Sequence, residues 1–164
     1  MHTSIILNQS GRMSQTILHG QYLLMAYPQA VRSSGIVVAP PVELASFQAK
    51  EVMEGTIIRW MHRIISSRQR FVLEFSHFTD PSNGKLQVYI QDKRAFQQLA
   101  GQLEVVSQYI RSYDCPEINF NLQLRTNMLQ ADYSFSGSFE VNEFLLLKKD
   151  FDTYKPMNVF ALRP

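Results

Sequence analysis

Apolar residues change their spacing several times along this chain, and each change marks an element. Residues 21–27 (QYLLMAY) form an apolar run closed by Pro28, and the pattern predicts a first strand. A turn signal at 32–35 and a short apolar run at 36–39 follow. Across 48–66, Met53, Ile57, Trp60, Met61, Ile64 and Ile65 recur at the spacing of one helical face. Gly55 weakens that helix without ending it. Phe71, Leu73 and Phe75 then alternate with Val72, Glu74 and Ser76, a strand with one buried face. Asp80-Pro81-Ser82-Asn83-Gly84 is the strongest turn signal in the chain. Leu86, Val88 and Ile90 return from it, so residues 71–91 read as a hairpin with a long connection.

A second helix is expected over 92–112, with Phe96, Leu99, Leu103, Val106 and Ile110 on one face and Asp92 placed to cap its start. Residues 117–124 alternate cleanly: Ile118, Phe120, Leu122 and Leu124 point one way, and Glu117, Asn119, Asn121 and Gln123 the other. A short helical turn is expected around 127–133, a long strand over 138–149 and a closing edge strand over 157–162. Residues 1–20, rich in Ser, Gln, Gly and Thr, read as a loosely held extension able to add one edge strand, ahead of a single domain over 21–164.

Composition narrows the class. Apolar residues make up 45% of the 164 and charged residues 18%, a globular balance rather than a disordered one. Eleven Phe and seven Tyr favour β-rich structure, because aromatic rings pack well on pleated surfaces. A net charge of +2 argues by itself for neither nucleic acid nor an anionic membrane. Cys115 is the only cysteine, which forbids an internal disulfide and fits a reducing compartment. No apolar run approaches the ~20 residues of a membrane helix. The first residues also lack a charged segment ahead of an apolar core. The expectation is a cytoplasmic protein with no membrane partner, a monomer by default.

Two stretches echo one another. Pro-Pro-Val-Glu-Leu-Ala-Ser-Phe at 40–47 and Pro-Glu-Ile-Asn-Phe at 116–120 each follow a proline, alternate polar with apolar and lead into further elements. Together with Ser-Phe-Glu-Val-Asn-Glu-Phe-Leu-Leu-Leu-Lys-Lys at 138–149, they resemble the two-histidine phosphoesterase superfamily, which includes 2′-5′ RNA ligases and cyclic phosphodiesterases. The resemblance covers roughly 21–162. It implies an α+β fold of two lobes: two antiparallel-rich sheets facing a central cleft with approximate two-fold symmetry, and helices packed outside. It also implies that each lobe offers a histidine and, two residues later, a Thr or Ser. One histidine would act as general base and the other as general acid on a phosphodiester, while the hydroxyls hold phosphate oxygens.

The chain departs from that pattern at all four positions. Pro41 and Glu117 stand where the histidines would be, and Glu43 and Asn119 where the hydroxyls would be. None of the four histidines lies in either motif. Two carboxylates would each repel a phosphate by ~4 kcal/mol at a separation of about 4 Å and an effective dielectric of about 20. The reading is therefore a catalytically silent relative that acts as a binding or scaffold protein without a cofactor. A nucleotide or RNA is the partner that the resemblance implies. An alternative stays open, an enzyme whose cleft is rebuilt around Glu43 and Glu117 with a metal ion. Strand geometry sets Glu117, Asn119 and Asn121 on one face and Pro41, Glu43 and Ala45 on that of the matching strand, with Glu43 opposite the oxygen-bearing side chains. Two carboxylates and two amides are too few charges for a tight divalent site, so no metal is expected. With Arg125, which could hold an anion at the end of the second strand, the binding candidates are Glu43, Glu117, Asn119, Asn121 and Arg125.

Other groups carry two readings each. Arg59, Arg63, Arg68 and Arg70 form a local basic patch, either a solvated helix face or a contact for a nucleic-acid backbone. Cys115 reads as a small buried residue with no histidine partner. His62 and His77 read as half-exposed structural residues, and His2 and His19 as parts of the extension.

Overall fold

A computed structural model of the chain describes residues 3–7, 13–17, 19–30, 41–79, 82, 86–90, 92–121, 126–128 and 137–164. In chain order the elements are β1 (Thr3–Leu7), β2 (Met13–Ile17), β3 (Gly20–Ala30), β4 (Val42–Ala49), a 3₁₀ turn (Glu51–Met53), α1 (Glu54–Ser66), β5 (Phe71–Thr79) and β6 (Leu86–Ile90). There follow α2 (Arg94–Gln102), α3 (Glu104–Ser112), β7 (Asn119–Phe120), β8 (Thr126–Met128), β9 (Gly137–Asp150) and β10 (Thr153–Ala161).

The fourteen residues of β9 explain the architecture. One edge of this strand pairs with β3, and the other is long enough to take two partners end to end: residues 71–75 of β5 lie along 137–141, and 153–161 of β10 lie along 143–150. The result is one antiparallel sheet of eight strands in the order β7-β4-β3-β9-β5-β6-β8, with β10 on β9. Two separate facing sheets were expected. The long strand joins both groups of strands instead, and the α+β class stands.

That sheet cannot be flat. β7 and β8 occupy opposite ends of the order, yet only residues 121–125 separate them. A chain covers at most ~22 Å from Phe120 to Thr126. Six steps of about 4.8 Å would set the ends of a flat sheet ~29 Å apart. The sheet must curl until its ends approach.

The helices cover one face of it. Tyr22, Leu24 and Ala26 of β3, Phe144 and Leu146 of β9 and Phe160 of β10 are buried in one cluster with Ile57, Met61 and Ile65 of α1, Phe96 and Leu99 of α2, and Val106 and Ile110 of α3. The Phe96 ring meets Phe71 and Phe144 edge-on at 5.4 and 6.2 Å between centroids. The apolar stripes that predicted the helices are thus the faces they bury. All three share one core, and α1 touches α2, α3 and β10, rather than packing on a sheet of its own.

Element boundaries differ in instructive ways. Gln48 and Ala49 close β4 by pairing with Gln21 and Gly20, so α1 begins later than the apolar spacing suggests. The second helix divides at Leu103, where Val106 N–H reaches the Leu103 carbonyl at 2.9 Å; the side chain of Leu103 is fully buried, so the break exposes no apolar face. The N-cap position falls on Lys93 rather than Asp92 and makes no side-chain cap bond, although Asp92 Oδ1 accepts the Arg94 N–H at 3.0 Å. Asn127 and Met128 belong to β8, not to a helical turn; sheet pairing to Leu86 and Gln87 overrides the local signal. The rest of that turn, the signals at 32–39 and most of the Asp80–Gly84 turn lie outside the described residues. Within 1–20, β1 and β2 pair with each other as a two-stranded sheet where one edge strand was expected, and Gly20 already belongs to β3. No helix among the described residues is long and apolar enough to cross a membrane.

Candidate functional site

A β-bulge decides which side chains of the first motif can act. Leu23 pairs with Ser46 and Leu24 with Ala45, but Met25 pairs with Glu43, so Leu44 is an extra residue in β4. Both Leu44 and Ala45 are buried, at 0% and 1% exposure. An extra residue reverses the alternation beyond it. Glu43 therefore lies on the sheet face away from the helices upstream of the bulge, and Ser46 and Gln48 take that face downstream. Ala45, expected beside Pro41 and Glu43, belongs to the core.

The second motif lies alongside. Ser46 pairs with Asn119 and Ala45 with Phe120, while the Asn121 N–H donates to the Leu44 carbonyl at 2.8 Å. Asp114, with φ of 59°, turns the chain out of α3; Asp tolerates this left-handed conformation better than most residues. The buried Ser107 of α3 then accepts the Ile118 N–H on its Oγ at 3.0 Å, which holds the start of β7 in place. Glu117 and Asn119, on either side of that tether, are exposed.

Glu43 and Glu117 are not brought together. The same register carried two residues further sets Glu117 opposite Gln48. Glu43 is about four strand steps away along β4, or ~14 Å. The oxygen-bearing side chains expected opposite Glu43 face Ser46 and Gln48 instead. Pro41 is exposed, Asn121 is half-buried beside Leu44, and Arg125 lies outside the described residues. Among the described residues no group of three or more His, Cys, Asp or Glu side chains could hold a metal ion.

A depression of about 280 Å³ lies over the paired motifs, lined by Gln21, Ser46, Gln48, Glu117, Asn119 and Tyr154 among others. Its described lining offers hydroxyls, amides and one carboxylate. Such a set can orient a ligand by hydrogen bonds. Beside it, sharing Gln21 and Tyr22, a cavity of about 770 Å³ lies at the end of the β9–β10 hairpin, with His19, Lys148, Lys149, Asp150, Phe151 and Lys155 in its wall.

Tyr22 separates the two spaces. Its ring stacks on Phe47 with 4.9 Å between centroids. Gly20 makes room for it, since a Cβ there would stand 2.6 Å from the phenol oxygen. The Tyr22 hydroxyl donates to Glu54 Oε1, and the Lys148 ammonium reaches the same oxygen. Burial, and then the bond to Glu54, push the phenol well above its ordinary value of 10.0, so Tyr22 remains a neutral donor. In the same wall Lys155 Nζ pairs with Asp150 Oδ2 at 2.9 Å.

Sequence reasoning missed Gln21, Ser46, Gln48 and Tyr154. Nothing in the alternation announces a bulge at Leu44, and without the bulge Ser46 and Gln48 would face the core. It also left Cys115 without a histidine, whereas His19 Nε2 stands 4.0 Å from Cys115 Sγ. That pairing joins residues far apart in sequence, and no spacing rule reveals it.

No protein family matches the sequence, and no curated protein matches it. Solved structures do match. Escherichia coli LigT complexed with 3′-AMP superposes with a TM-score of 0.60 at 17% identity, over 88% of this chain and 99% of LigT. LigT in its apo form gives 0.52 at 18% identity, over 89% and 99%. A crystal structure of a phosphoesterase gives 0.54 at 13% identity, over 90% of this chain and all of the other. At these identities the likeness is one of fold, and the chain has the LigT fold along nearly its whole length.

Proposed function

We propose that this LigT-fold protein binds a nucleotide without cleaving it. The observation that carries the reading is the make-up of the pocket over β4 and β7: Gln21, Ser46, Gln48, Glu117 and Asn119, with no histidine among its described lining residues. Phosphodiester chemistry of the two-histidine kind needs a base and an acid that both titrate near neutrality. Amides and hydroxyls suit the edges of a base and the hydroxyls of a ribose. A space of about 280 Å³ lies at the lower end of small-ligand sites and suits a nucleoside. Glu117 repels phosphate, which directs the phosphate of such a ligand past Gln21 toward Lys149 in the adjoining cavity. That LigT has been solved with 3′-AMP supports the ligand class.

Two further parts of the reading rest on single features. Apart from β10, three strands flank β9 on each side, β3-β4-β7 and β5-β6-β8, which supports two lobes related by an approximate two-fold axis. The lone, buried Cys115 fits a cytoplasmic setting.

Calorimetric titration with 3′-AMP tests the proposal. Saturable binding is expected, weakened about three- to tenfold by Asn119→Ala or Gln48→Ala, as for the loss of one net hydrogen bond. No heat of binding from the wild-type protein, or binding indifferent to both substitutions, would overturn it.

A further inference from the structure

The outer face of α1 and the chain after it carry guanidinium groups that the pocket does not use. Arg59 and Arg63 are exposed and one turn apart, about 6 Å along the helix. Arg68 and Arg70 follow the end of α1 at Ser66 and precede β5. The C-terminus adds a fifth. The Arg70 N–H donates to the Arg163 carbonyl at 2.8 Å, and the Arg163 N–H donates to the Arg68 carbonyl at 2.8 Å. Fold topology therefore enlarges a cluster that the sequence shows only in part.

The partners of these groups are neutral. Arg59 Nη2 donates to Thr56 Oγ1 at 3.1 Å, and the Arg63 guanidinium lies over the Trp60 ring at 5.8 Å. Arg68 Nη1 and Nη2 donate to Gln102 Oε1 at 2.8 Å and Gln98 Oε1 at 2.9 Å. Among the described residues none of the five arginines pairs with a carboxylate, whereas Arg94, Lys148 and Lys155 each do. Neutral partners orient a guanidinium without cancelling its charge. The C-terminal dipole of α1 is served by Arg63, in its last turn, and accounts for one arginine of the five.

We infer that this surface binds the sugar–phosphate backbone of a single-stranded nucleic acid. The cations are all arginines, whose planar forks match phosphate oxygens two at a time. Trp60, partly buried against the core, leaves some aromatic surface beside Arg63, the kind on which single-strand binders stack a base. A lipid surface is the less suitable partner, because none of the exposed large apolar side chains falls between residues 54 and 70. The helix layer separates this surface from the nucleotide pocket, which opens on the opposite face of the sheet.

Fluorescence anisotropy of the full chain with a labelled single-stranded U-rich RNA of about 15 nucleotides, titrated between about 50 and 200 mM NaCl, tests the inference. The expected result is binding that weakens with salt, with a log–log slope near −3, from about 0.7 per phosphate over four or five contacts. Replacing both Arg59 and Arg63 by Gln should weaken binding at least about tenfold and reduce the slope by about 1.4, and Arg163→Gln should reduce it by about 0.7. Arg68 is left intact because it ties α1 to α2. Asn119→Ala, which weakens 3′-AMP in the pocket, should leave RNA binding unchanged. Binding indifferent to the arginines, RNA binding lost only with Asn119→Ala, or arginine-dependent binding to phosphatidylserine vesicles without any to RNA would each overturn it.

Discussion

The start of α1 and its outer face use charge in opposite ways. At its N-terminal end Glu54 holds both the Tyr22 hydroxyl and the Lys148 ammonium, and the pair is well covered, with Glu54 15% and Lys148 31% exposed. Along its outer face and just past its C-terminal end, the arginines rest on Thr56, Trp60, Gln98 and Gln102. Glu54 in the first turn and Arg63 in the last both agree with the helix dipole. Only the first is cancelled. A charge that is matched and covered pins α1 to β3 and β9, and its removal should be felt in stability. A charge left on neutral supports is available to a partner, and its removal should be felt in binding.

The largest expected effect is on the pinned end. Glu54→Ala leaves a half-buried ammonium and a buried phenol without their shared acceptor, and should cost about 2–3 kcal/mol in urea denaturation. Arg59→Gln should cost less than about 0.5 kcal/mol in the same experiment. Equal costs at the two positions would erase the comparison.

A smaller effect is visible in pH. The folded protein raises the Tyr22 phenol above its ordinary value of 10.0. A raised value means that stability from this group is complete below pH 10 and is lost as pH climbs past it. Stability measured between about pH 8 and 11 should therefore fall more steeply in the wild-type protein than in Tyr22→Phe, which itself loses about 1 kcal/mol at neutral pH. Parallel profiles would remove Tyr22 from the pinned end.

The smallest effect belongs to a pair that is matched but uncovered. Arg94 hydrogen bonds hold the exposed Asp92 carboxyl down at about 2. Its contribution is present above the ordinary value of 3.8 and is lost as pH falls toward 2. In Arg94→Gln, NMR titration of the Asp92 side-chain carbon should move back toward 3.8, with no measurable change in the unfolding midpoint near neutrality.

Much of this architecture was legible in the chain. The apolar spacing of Ile57, Met61 and Ile65, and of Phe96, Leu99, Val106 and Ile110, marks the faces that the helices bury. The long strand over 138–149 is legible as well. Its role is not: sequence carries no sign that β5 and β10 share one edge of β9 and merge the strands into a single curled sheet. The site was legible only in part. Glu117 and Asn119 follow strict alternation and do line the pocket, but the bulge at Leu44 exchanges Ala45 for Ser46 and moves Glu43 out of reach of Glu117. A one-residue insertion changes no composition and no motif, yet reverses every side chain beyond it. The arginine surface was visible as four residues; Arg163 joins it through backbone hydrogen bonds that only the fold creates.

The central claim is binding without turnover, and phosphorus NMR of the protein mixed with 2′,3′-cyclic AMP tests it most directly. The account predicts that the cyclic phosphodiester resonance shifts or broadens as the ligand is held, that Asn119→Ala reduces this change, and that no monophosphate signal grows over a day. A growing monophosphate signal that Glu117→Gln abolishes would contradict it and establish an active site at Glu117.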